Sequence, residues 1–154
     1  MGKPDTAGVV ARPPLIYLAA VVVGFVLRAL APTPFFPRAL GYQLGAILIL
    51  IAVALLLWGV REMRRAGTSE STAVPTSALV TTGPFRLSRN PLYVSLTLCY
   101  LGTMIAAQAL WGLALAVVVL AVMRRGVIDR EERYMERRFG AEYLRYKERV
   151  RRWM

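Results

Sequence analysis

The sequence predicts an all-α integral membrane protein with four transmembrane helices and a helical C-terminal tail. Three observations predict it. Hydrophobic residues make up 56% of the 154-residue chain, above the roughly 45–50% of soluble domains. They collect in blocks almost free of charge, and the basic residues flank those blocks instead of interrupting them. At this length one domain is the default, so residues 1–154 form a single unit.

The first span, residues 15–30, carries one charge, Arg28, near its far end, where a long side chain can snorkel to the interface. Ala29-Leu30-Ala31 resembles a leader-cleavage site, but three further apolar segments make this stretch a span. A short loop with Pro32, Pro34 and Pro37 leads to the second span, residues 40–60, which has no charge at all. Residues 61–90 form a polar loop that opens as a basic helix end and passes through the unpatterned run Ala66 to Thr72.

From Pro91 to Met123 the chain is again uncharged. As one straight helix this stretch would be about 50 Å long, against a hydrocarbon core of about 30 Å. A tight helical hairpin is therefore predicted, turning near Ala107, Gln108 and Ala109, with spans 91–107 and 109–123. Residues 124–154 form the tail, broken at Gly140 into two helices. Eighteen of the twenty Lys and Arg side chains fall on the side shared by both termini and the 61–90 loop. By the positive-inside rule both termini are cytoplasmic in a multi-pass protein of the cell inner (plasma) membrane.

Net charge is +11, but no soluble basic face with aromatic platforms accompanies it, so nucleic acid is excluded as a partner. Cys99 is the one cysteine and histidine is absent. An internal disulfide, a thiolate or imidazole zinc site, His-ligated haem and a Ser-His-Asp triad are all excluded; no metal is expected. Chemistry here must use carboxylates, arginine, tyrosine, amides, backbone groups and a bound cofactor.

Two stretches have the means. In Leu79-Val80-Thr81-Thr82-Gly83-Pro84-Phe85-Arg86-Leu87-Ser88-Arg89-Asn90-Pro91-Leu92-Tyr93, Gly83-Pro84 marks a turn. Asn90 suits a helix cap and Pro91 the first helical turn. Unpaired backbone donors then stand beside Arg89, a setting that attracts carboxylates or phosphates; the same pattern also serves a capped, positively flanked membrane helix. In the tail, a wheel at 100° per residue from Val127 puts Val127, Ile128, Tyr134, Met135 and Phe139 on one apolar face. Glu131 falls at about 40°, inside that face, whose centre is near about 55°, and Glu132 at about 140°, on its edge. A carboxylate so placed is costly unless paired. Either it pairs with an arginine such as Arg89 or Arg138, or it receives a cationic ligand group. The last segment, Glu142 to Trp153, reads as a basic helix lying against anionic lipid through Tyr143, Leu144, Tyr146, Val150 and Trp153.

Taken in order and flanking a membrane hairpin, these motifs resemble those of the isoprenylcysteine carboxyl methyltransferase and phospholipid N-methyltransferase superfamily. The resemblance rests on Leu79 to Phe85, Arg89-Asn90-Pro91-Leu92-Tyr93, Glu131-Glu132 and Phe139-Gly140-Ala141-Glu142-Tyr143-Leu144-Arg145-Tyr146, and covers Ser77 to Trp153. It implies an S-adenosyl-L-methionine-dependent methyltransferase acting on a lipophilic or membrane-embedded acceptor, a carboxylate, an amine or a thiol. It also implies that Ser77, Ala78, Leu79, Val80, Phe85, Asn90, Pro91, Leu92, Tyr93 and Glu131 bind the cofactor, with Arg89 and Glu131 catalytic. Asn90 stands where the family often has His, and Phe85 where it usually has Tyr. Val127 replaces the substrate-binding Arg of the eukaryotic enzymes, a role left to Arg124 and Arg125. A nicotinamide-dependent membrane reductase and a non-catalytic membrane scaffold are the alternatives.

Overall fold

The computed structural model describes residues 8–68 and 77–153. Of the polar run expected in the first cytoplasmic loop, Ser69 to Thr72 lie outside the described residues. Among the described residues six α-helices follow in order: α1 (Pro13–Leu30), α2 (Arg38–Arg65), α3 (Pro91–Ala106), α4 (Leu110–Val122), α5 (Asp129–Phe139) and α6 (Ala141–Arg149). A 3₁₀ turn, Gly83–Arg86, precedes α3, and a π-helical turn, Met123–Ile128, joins α4 to α5 without a break. No strand occurs among the described residues.

α1, α2 and the continuous helix Leu110–Phe139 are long and apolar enough to cross a membrane, whereas α3 is apolar but only 16 residues long. At 1.5 Å per residue α3 spans about 24 Å. Among the described residues, three long apolar helices and a shorter one thus stand where four spans are expected from sequence. α3 and α4 do form a tight hairpin. Its turn is made by Ala107, Gln108 and Ala109, with Gln108 at φ 53°. That conformation is uncommon for a residue with a side chain. Here the side chain helps to hold it, because Gln108 Oε1 accepts the backbone N–H groups of Phe35 (3.2 Å) and Phe36 (3.0 Å) from the first loop.

Helices with nothing but apolar faces gain little from hydrophobicity in lipid and associate through close packing of small residues. α2 and α3 meet in this way at Gly45 and Gly102. A Cβ on Gly102 would lie 2.8 Å from the Gly45 carbonyl oxygen, and one on Gly45 would lie 2.5 Å from that of Gly102. Gly102→Val is therefore expected to lower stability by about 1–3 kcal/mol, the range for overpacking a close contact, measured as a fall in thermal midpoint in detergent. An unchanged midpoint would mean that the two helices part without cost. α1 lies against α3 and α4, and the interior between them holds Tyr17, Tyr100, Met104, Met123 and Val127.

The tail departs from expectation. α6 stops at Arg149, and residues 150–153 run on as a non-helical strap. Nor does α6 spend its aromatic face on lipid: Tyr143 and Tyr146 are each 4% exposed, and the Tyr146 hydroxyl donates to the Phe85 carbonyl at 2.7 Å. An amphipathic face looks the same on a wheel whether lipid or protein covers it, and here protein covers it.

Candidate functional site

The site is built where the start of α3, the start of α5 and the strap converge. Gly83 takes φ 57°, which allows the 3₁₀ turn to fold back with Pro84 and Phe85 buried. Asn90 immediately precedes α3, its carbonyl accepting the N–H groups of Tyr93 and Val94 at 3.0 Å. Its side chain makes no cap, contrary to the reading from sequence. Asn90 Nδ2 instead donates to the Arg152 carbonyl at 3.1 Å, as does Ser88 Oγ. The Arg89 N–H donates to the Arg151 carbonyl at 2.9 Å. The strap thus takes up polar groups that the helix start would otherwise leave to water.

Two carboxylates from the first turn of α5 face this region and have different partners. The Tyr93 hydroxyl donates to Glu131 Oε1 at 2.6 Å, which joins the two motifs separated in sequence by the whole hairpin. Glu131 is half-buried and has no cationic partner among the described residues. About twenty residues from Leu110, enough to cross the hydrocarbon core, end near Asp129, so Glu131 stands beyond the span. Burial pushes its carboxyl up to about 7, while the Tyr93 hydrogen bond pulls the other way.

Glu132 is the more enclosed of the two, at 6% exposure. Arg152 grips it through Nε (3.0 Å) and Nη2 (2.6 Å), and reaches Asp129 through Nη1 at 2.9 Å. These bonds, the one to Glu132 foremost, raise the Arg152 guanidinium's affinity for its proton. Arg89 Nη2 lies 3.3 Å from Glu132. The ion pair considered for Glu131 is therefore made by its neighbour. On the wheel Glu132 falls at the edge of the apolar face, and in the fold the returning strap covers that edge and encloses it.

Arg89 is itself nearly enclosed, its side chain 9% exposed. Its Nε and Nη1 are buried with no hydrogen-bond partner among the described residues, as is the Tyr134 hydroxyl. Buried donors of this kind are normally satisfied, and a guanidinium presents a fork shaped for a carboxylate.

Among the other candidates, Phe85, Pro91 and Val80 are buried, and Leu92 packs where a Cβ on Gly59 would stand. Ser77 binds the end of α2, its N–H to Thr68 Oγ1 (3.2 Å) and its Oγ to the Gly67 carbonyl (2.8 Å); Ala78 and Leu79 follow it, half-buried. Arg124 and Arg125 lie in the π turn and border a cavity of about 680 Å³ between α3 and α4. Val94, Thr97, Leu98, Leu120, Ala121, Asp129 and Trp153 complete its lining. It begins one residue from Tyr93, and Thr97, one turn on, donates to the Tyr93 carbonyl at 2.8 Å. Sequence reasoning missed Arg152, Asp129, Ser88 and Trp153. The available signal was the short spacing between the Tyr143–Tyr146 pair and a late arginine.

No solved structure matches the chain. An uncharacterized protein of Haemophilus influenzae is 43% identical over 68 residues, covering 41% of this chain and 100% of that protein. The model of the phospholipid methyltransferase family matches residues 40–142, from the start of α2 through Tyr93, Glu131 and Glu132 to the start of α6. That match spans well over half of the chain, which therefore belongs to the phospholipid methyltransferase family.

Proposed function

We propose that the chain is an integral-membrane methyltransferase that uses S-adenosyl-L-methionine to methylate a lipophilic acceptor. The observation that carries this reading is a half-buried carboxylate, Glu131, oriented by Tyr93 and in no ion pair among the described residues, close in sequence to the Glu132–Arg89 pair. The residues present suit the cofactor's charges: Glu131 for a cationic group, and the unpartnered Nε and Nη1 of Arg89 for a carboxylate. When bound, S-adenosylmethionine supplies a methyl group whose C–S bond breaks as the acceptor's lone pair forms the new bond, leaving a neutral thioether.

The chain's own part is positioning. Tyr93 holds one oxygen of Glu131, so the carboxylate keeps one orientation without an arginine to neutralise it. Glu132 and Arg152 fix Arg89 and the strap. Aligning donor and acceptor in this manner can lower a barrier by about 7–11 kcal/mol, enough for a transfer needing neither His nor metal. With both termini cytoplasmic, the cofactor enters from the cytoplasm and the acceptor from the bilayer.

Incubating the purified protein with methyl-labelled S-adenosylmethionine and membrane lipid extract tests the proposal. Label is expected in an organic-soluble product; no labelled product and no calorimetric binding of S-adenosylmethionine would overturn it. Binding should also depend on pH. A site that prefers ionised Glu131, with a free-state value of about 7, must lose a proton before binding at acid pH. From pH 8 to pH 6 the ionised fraction falls about tenfold, so Kd is expected to rise about tenfold. A flat calorimetric profile across that range would remove Glu131 from the cation's contacts.

A further inference from the structure

From the cavity between α3 and α4 we infer a binding site for a bilayer lipid with a net-anionic headgroup. Its wall is divided by chemistry along the membrane normal. Val94 and Leu98 of α3 face Leu120 of α4 at the apolar end. Arg124 and Arg125 follow one turn later, about 5 Å further along the helix. An amphiphile has this same division into chain and headgroup.

The charge at the headgroup end is positive. Arg124 and Arg125 are exposed and make no ion pair among the described residues. Asp129, which also borders the cavity, is already neutralised by Arg152 at 2.9 Å. Two unpaired guanidinium groups at an apolar cleft favour a phosphodiester without a compensating ammonium over a zwitterionic headgroup. About 680 Å³ lies within the usual range for small-molecule sites, roughly 300–1,000 Å³. Trp153, carried by the strap, forms part of the wall, and Arg152 beside it is bonded to both Asp129 and Glu132. Thr97 of the cavity wall donates to the Tyr93 carbonyl, which ties the wall to the residue whose hydroxyl holds Glu131. The inference does not depend on the proposed function, because a phosphodiester headgroup without an ammonium offers no amine, thiol or carboxylate to methylate.

Trp153 supplies the test. Trp58 and Trp111 are each 46% exposed on outer helix faces, so Trp58→Phe with Trp111→Phe leaves Trp153 as the single fluorophore. The protein is placed in phosphatidylcholine nanodiscs containing a small, equal fraction of chain-brominated phosphatidylglycerol or chain-brominated phosphatidylcholine. Quenching of Trp153 by the anionic lipid is expected to exceed that by the zwitterionic lipid at least threefold. Arg124→Gln with Arg125→Gln should bring the ratio to about one. Equal quenching by both lipids, no quenching by either, or selectivity that survives loss of the arginines would overturn the inference. Should the arginine variant fail to fold, competition decides: unbrominated phosphatidylglycerol must restore Trp153 fluorescence in the arginine-intact protein, and failure to do so overturns it. Titration of the same protein with S-adenosylmethionine separates this result from the enzyme reading, since cofactor binding without anionic-lipid selectivity defeats only the lipid site.

Discussion

Glu131→Gln is expected to raise the Kd for S-adenosylmethionine between about 10- and 150-fold, the equivalent of losing a charge-assisted contact worth about 1.5–3 kcal/mol. The fold should hardly notice. A glutamine carbonyl still accepts the Tyr93 hydroxyl that now reaches Glu131 at 2.6 Å, and the neutral amide removes a charge that burial disfavours. Calorimetry on the detergent-solubilised variant, paired with a thermal melt, checks both halves. Affinity equal to that of the unaltered protein would defeat the assignment, whereas a collapse in melting temperature would show Glu131 to be structural.

Glu132→Gln should do the opposite. It leaves the Arg89 guanidinium, 9% exposed, without its counter-charge, and it strips one of the two bonds by which Glu132 holds Arg152, leaving the other without its charge. Breaking a buried pair from one side costs about 3–5 kcal/mol because the other charge stays buried. Arg152 keeps Asp129 at 2.9 Å, so the strap is weakened and not wholly released. A large fall in thermal midpoint is expected, with a smaller change in cofactor affinity than for Glu131→Gln among molecules that fold. Replacing Arg89 and Glu132 together by leucine should recover most of the stability, since well-packed apolar pairs commonly equal buried ion pairs. If the single variant melted like the parent, the network would carry no weight in the fold.

These contrasting roles for adjacent glutamates show what a sequence can and cannot disclose. The hairpin was legible because length alone forbids a straight helix from Pro91 to Met123, and the turn falls at Ala107 to Ala109 as expected. Glu131 was legible as a carboxylate among apolar side chains because periodicity places it there, and the resemblance named Tyr93 for the same cofactor without pairing the two; their hydrogen bond comes only with the fold. The division of labour between Glu131 and Glu132 was not legible. It depends on Arg152, twenty residues onward, returning across Gly140 and α6; no local pattern encodes where a short non-helical segment lands. Asn90 illustrates the same limit, since a residue suited to capping gives its amide to that distant carbonyl instead.

The π-helical turn at Met123–Ile128 has its own consequence for how this chain tolerates change. A wider turn holds one residue more than an α-helical one would, so deleting a single residue there can restore regular winding with every backbone bond still made. The helix would survive with everything beyond it in nearly its present phase, because the wide turn is what absorbs the extra residue; the same deletion in the regular winding of α4 would turn everything beyond it by about 100°, and both glutamates would leave the opening of α3 together. The linkage between span and tail therefore acts as a slack coil, able to give up a residue that the regular windings on either side cannot spare.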